Sequence, residues 1–112
     1  MRFFGRRAAE AQVKTPRAWG DRIPEVILYT RAGCHLCEDA EAVLRRVMAE
    51  ATRSGRAAFE LRPVDIDADP DPELARRYGV RVPVVAIDGV EHFEYEVPED
   101  PLVELIRTAS LS

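Results

Sequence analysis

Cysteine is scarce in this chain: 112 residues carry only Cys34 and Cys37. A small domain held by disulfides spreads several cysteines along the chain to close long loops. A pair this close closes almost no loop, so crosslinking it restrains the unfolded chain very little. Stability is a poor reason for the pair, and chemistry is a better one. Long apolar runs are lacking too, since nothing approaches the roughly 18–20 residues that cross a bilayer, and the expectation is a protein with no membrane association. Low-complexity stretches and internal repeats are absent, which argues against solenoids and disordered arrays. A basic excess is also missing, because 16 Lys and Arg face 20 Asp and Glu, a net charge of −4. What remains is an ordinary globular composition, 46% hydrophobic and 32% charged, of one domain's length.

The charge is unevenly placed. Residues 1–22 hold Arg2, Arg6, Arg7, Lys14, Arg17 and Arg22 against Glu10 and Asp21, a net of +4. Residues 23–112 hold the other ten basic and eighteen acidic groups, a net of −8. The acidic body is unsuited to nucleic acid, whose affinity rests on neutralising phosphates. Residues 1–22 lack the apolar core of a secretory signal, so the expected location is the cytoplasm. Their Arg content with Phe3 and Phe4 has a faint presequence character, which Glu10 and Asp21 oppose. The expectation is a flexible or loosely docked basic tail with Trp19 as its one large anchor. A basic arm that touches an acidic partner surface is the alternative. The domain is expected over 23–112.

Within that domain, Val26-Ile27-Leu28-Tyr29-Thr30 reads as a buried strand, and Arg31-Ala32-Gly33 turns the chain into the cysteine pair. A helix is predicted over 38–54, on the apolar recurrence of Leu36, Ala40, Val43, Leu44, Val47 and Ala51, with Gly55 as its stop and Glu41–Arg45 as an outer pair. Residues 59–66 alternate as a second strand with Pro63 marking an edge. Asp69-Pro70-Asp71-Pro72 offers two capping sites for a short helix ending at Gly79. Strands are predicted over 82–87 and 91–96, joined by an Asp88-Gly89 turn. Asp100-Pro101 is expected to cap a last helix with Leu102, Leu105, Ile106 and Ala109 on one face. The order βαβαββα, with a right-handed crossover and a final hairpin, gives a four-stranded mixed sheet between helical layers, an α/β three-layer sandwich. It is also the order of the minimal thioredoxin fold.

Cys34 thus falls between a strand and a helix, where unpartnered backbone N–H groups and the positive end of the helix dipole favour a thiolate. Cys37, one turn on, is placed to resolve a mixed disulfide formed by Cys34. Two other readings stand beside this one. A zinc site would need two further ligands, and His35 and His92 do not sit at a structural-zinc spacing, so no metal is expected. The cysteines could also be incidental core residues, against which the strand-to-helix setting weighs. His35, as a cation, would lower the Cys34 pKa, while Glu38, Asp39 and Glu41 oppose a thiolate. The sign of the net shift stays open at this level.

The stretch Tyr29-Thr30-Arg31-Ala32-Gly33-Cys34-His35-Leu36-Cys37, with Tyr78-Gly79-Val80-Arg81-Val82-Pro83-Val84-Val85, resembles a glutaredoxin-type protein of the thioredoxin-fold superfamily over residues 25–108. The resemblance implies a cis proline at Pro83 facing the cysteines, which frees the backbone of Val82 for an extended substrate. It implies Arg31 and Val82 as substrate contacts, with His35 and Pro83 beside them, and no tightly bound cofactor. It also implies glutathione as a co-substrate. The family's Gly-Gly-acidic or Ser element is replaced here by Phe93-Glu94-Tyr95-Glu96-Val97, whose carboxylates would repel those of glutathione, and its Pro-Tyr between the cysteines is replaced by His35-Leu36. These departures resemble a group of small bacterial glutaredoxin-like proteins. The implied activity is thiol–disulfide oxidoreduction on protein or small disulfides, with Cys34 as nucleophile and a dithiol or NADPH-linked reductase as electron source. A redox-switched binding module, and an iron–sulfur carrier using Cys34 across a dimer, are the alternatives.

Overall fold

The computed structural model describes residues 20–53 and 59–111. Seven elements follow in chain order: β1 (Glu25–Thr30), α1 (His35–Thr52), β2 (Glu60–Asp65), α2 (Pro72–Tyr78), β3 (Val84–Ile87), β4 (Val90–Glu94) and α3 (Glu99–Ser110). This is the expected βαβαββα order. The sheet runs β2-β1-β3-β4, with β1–β2 parallel and the other pairs antiparallel. The crossover through α1 makes the first pair parallel, and the short turn makes the last antiparallel.

β1 is the central strand, and its apolar run is buried because helices cover both faces. Val26 and Leu28 point to the α1–α3 side, where they join Leu44, Val47, Phe59, Val85, Leu102 and Ile106 in the main core. Tyr29 points the other way and stacks on Tyr78 of α2, ring centroids 4.1 Å apart. Pro63, which has no N–H to give a ladder, lies on β2, an edge strand. Asp88 and Gly89 both take positive φ (50° and 85°), as the tight hairpin between β3 and β4 demands.

The starts of α1 and α3 differ from the expectation, and that of α2 settles a choice the sequence left open. α1 starts at His35, three residues early, because Cys34 itself caps it; its expected stop at Gly55 lies outside the described residues. α2 uses the second of its two capping chances: Asp71 Oδ1 accepts the Glu73 N–H at 2.9 Å and Pro72 opens the helix. Asp100 does not cap α3. The Leu102 N–H already donates to the Pro98 carbonyl at 3.1 Å, so the helix begins two residues earlier and Glu99 and Asp100 sit in its first turn, where carboxylates suit the dipole.

Gly20 and Arg22, which the expectation places in the tail, are docked. The Gly20 N–H donates to Ser110 Oγ at 2.8 Å, and the Arg22 guanidinium pairs with Asp88 at 2.6 Å. Residues 1–19, with Trp19 and most of the expected basic tail, lie outside the described residues. Among the described residues no helix is long and apolar enough to cross a membrane.

Candidate functional site

Gly33, at φ 73°, reverses the chain after β1 and delivers Cys34 to the N-terminus of α1. Only a residue free of Cβ crowding enters that conformation at low cost. Cys34 is in the extended conformation of an N-cap, and its Sγ accepts the Cys37 N–H at 3.1 Å. The two sulfurs are 2.33 Å apart, at disulfide distance, with the Cα atoms 5.2 Å apart. Cys37 is buried, and Cys34 is half-buried. An attacking thiolate must meet its substrate and a resolving one need not, so Cys34 has the more suitable exposure of the two.

Beneath the pair lies a second, smaller core of Cys37, Ile66, Tyr78, Val82 and Val84, with Tyr29, Cys34 and Leu74 packed on it. The Val82–Pro83 bond is cis. The Val82 N–H, expected to be free for a substrate, instead donates to the Tyr78 carbonyl at 3.0 Å. The last turn of α2 runs on into the loop and takes up that donor.

Arg31 is differently employed from the substrate contact expected of it. Its Nε and Nη2 grip both Asp67 oxygens at 2.9 and 2.8 Å, and Nη1 donates to the Gly79 carbonyl at 2.7 Å. The fork therefore straps the loop before Cys34 to the β2–α2 loop and to the end of α2. Hydrogen bonding to Arg31 holds the Asp67 carboxyl below its usual range. His35 stands in solvent, its side chain 96% exposed, with Nδ1 3.8 Å from Glu38 Oε1. Its ionic neighbour is a carboxylate of the same helix turn.

Sequence reasoning passed over a polar network at the rim of this smaller core. Tyr78 Oη donates to Glu91 at 2.8 Å, and Arg81 binds both Glu91 (2.6 Å) and Glu94 (3.0 Å). Burial, with the bond to Glu91, pushes the Tyr78 hydroxyl well above its ordinary value. Hydrogen bonds from Arg81 and then Tyr78 hold the Glu91 carboxyl down. Tyr78 and Arg81 were in view as parts of the second motif, but nothing local ties either to Glu91 in β4.

Beside the cysteines a groove of about 460 Å³ opens between α1 and the loop after β4. Leu36, Ala40, Val43 and Val97 make its apolar surface, and Asp39, Tyr95 and Glu96 its polar border. Tyr95, at φ 69°, ends β4; its N–H donates to the Pro83 carbonyl and its hydroxyl to the Val80 carbonyl. The groove thereby abuts the cis-proline loop. Among the described residues no group of three or more His, Cys, Asp or Glu is placed to hold a metal ion.

Comparison with known proteins agrees with this geometry. The family model described as a glutaredoxin-like domain (DUF836) matches residues 25–107. An uncharacterized protein of Mycobacterium tuberculosis is 37% identical over 82 residues, covering 70% of this chain and 78% of that protein. A Dictyostelium discoideum protein named as glutaredoxin-like is 30% identical over 80 residues, 71% of this chain and 72% of its own. Among solved structures, a structural genomics target protein from X. campestris is similar at TM-score 0.52 and 28% identity, covering 74% of this chain and 96% of its own. A mutant thioredoxin from Halobacterium salinarum matches at TM-score 0.54 and 24% identity, covering 81% and 78%, a likeness of fold.

Proposed function

The chain belongs to the glutaredoxin-like (DUF836) family, and on that premise we propose that it is a thiol–disulfide oxidoreductase. The observation that supports this is Cys34 at the cap of α1, at disulfide distance from a buried Cys37 and packed on the same cluster as Val82. In the reduced protein, N-terminal N–H groups of α1 favour a Cys34 thiolate. That thiolate attacks one sulfur of a substrate disulfide. A bond forms between Cys34 Sγ and that sulfur, and the other substrate sulfur leaves with the electron pair and takes a proton. Cys37, deprotonated, then attacks Cys34 Sγ, expelling the second substrate thiolate and closing the 34–37 disulfide. The substrate has gained two electrons. A dithiol or an NADPH-linked reductase restores the protein's own dithiol, and the chain's residues require no bound cofactor for either step.

A reduced wild-type protein is expected to reduce a protein disulfide, Cys34→Ser to lose that activity, and Cys37→Ser to stop at a mixed disulfide on Cys34 visible by mass spectrometry. Undiminished reductase activity in Cys34→Ser would sink the mechanism. A redox-dependent complex with negligible turnover of any disulfide would identify a switched binding module in its place.

A further inference from the structure

The groove beside the cysteines carries a charge opposite to that expected of a glutathione site. Asp39 on α1 and Glu96 after β4 border it, and neither carboxylate has an ion pair or hydrogen-bond partner among the described residues. The nearby arginines are committed elsewhere: Arg45 to Glu41, Arg46 to Glu99, and Arg81 to Glu91 and Glu94. Arg31 is closed on Asp67 and Gly79. Among the described residues, glutathione, an anion with two carboxylates, thus meets two uncompensated negative groups and no free guanidinium.

The same place offers apolar contact. Leu36, between the cysteines, is 48% exposed, and Tyr95 across the groove is 46% exposed. Val80, whose carbonyl receives the Tyr95 hydroxyl, is 87% exposed. An exposed leucine, valine and tyrosine around a reactive pair suit an apolar partner side chain, and the acidic border suits a cation beside it.

We propose that this groove receives a polypeptide segment carrying an apolar side chain next to a basic one, adjoining the disulfide it delivers to Cys34. The inference rests on the oxidoreductase reading and names its substrate class. Leu36, Val43 and Tyr95 hold the apolar side chain, and Asp39 and Glu96 attract the lysine or arginine. The net charge of −8 on residues 23–112 adds a longer-range pull on the same substrates.

The test uses the full chain, reduced and freed of reductant, in single turnover followed by mass spectrometry. The substrates are two peptides that differ only in carrying Leu-Lys-Cys or Leu-Glu-Cys, each cysteine as a mixed disulfide with 2-mercaptoethanol, together with oxidised glutathione. At low ionic strength the basic peptide is expected to react about fivefold faster than the acidic one. The ratio should fall towards one in 1 M salt and in the Asp39→Asn/Glu96→Gln variant, both substitutions being on the surface. Equal peptide rates in the wild type, a preference unchanged in the double variant, or glutathione disulfide outpacing the basic peptide would each overturn the inference while leaving the reductase reading intact. If neither peptide nor glutathione disulfide reacts, although dithiothreitol reduces all three, the reductase reading falls and the inference with it.

Discussion

The two cores of this domain are built from different materials. The larger, under α1 and α3, is wholly apolar: Val26, Leu28, Leu44, Val85, Leu102 and Ile106 have almost no exposed surface. The smaller, under the cysteines, mixes two sulfurs with stacked tyrosines, and its rim is a chain of charged hydrogen bonds from Tyr78 through Glu91 to Arg81 and Glu94. Apolar burial is non-directional and tolerant of exchange, whereas hydrogen-bonded pairs fix a geometry. The larger core supports the sheet, and the smaller one sets where Cys34, Val82 and the cis-proline loop stand.

The strongest way to break this comparison is Leu102→Ala. It opens a cavity in the larger core and should cost about 2–5 kcal/mol, read from urea unfolding. The reactivity of Cys34 per folded molecule should stay as it is; a change there would mean the two cores are not separable.

Tyr78→Phe keeps the stack on Tyr29 and removes the bond to Glu91, for about 1 kcal/mol at neutral pH. The pH dependence sharpens the point. Tyr78 has its folded pKa raised, so its contribution is complete below the unfolded tyrosine value of about 10 and is lost as the pH climbs above it. The gap between wild type and variant should therefore narrow in alkali. Glu91 has its folded pKa lowered, so its contribution exists above the unfolded carboxyl value of about 4.3 and disappears as the pH falls through the folded one. The acid loss should persist in the variant, because Arg81 still holds Glu91. Urea unfolding across a pH series measures both arms.

The smallest effect belongs to His35→Ala. With the imidazole in solvent beside Glu38, unfolding should be unchanged, and the rate of Cys34 alkylation should move by less than about twofold. A larger change would restore His35 to a direct part in tuning the thiol.

Much of the fold was legible in the sequence because its signals are local. Apolar runs, the Asp71-Pro72 start, the Asp88-Gly89 hairpin and the edge proline act over a few residues, and each is where expected. The cysteine pair at a strand-to-helix junction was legible for the same reason, since Gly33, Cys34 and Cys37 are neighbours. The start of α3 was misplaced because a backbone bond to Pro98 competes with side-chain capping, and propensity alone does not rank the two.

What the tertiary structure alone decided is how the polar groups around the site are spent. Arg31 finds Asp67 and Gly79 across 36 and 48 residues, and Tyr78 finds Glu91 across 13. Sequence named these groups as donors, acceptors and charges. Their partners depend on the crossover and on the register of β3 with β4, and a hydrogen bond, being short and directional, exists only after both are fixed.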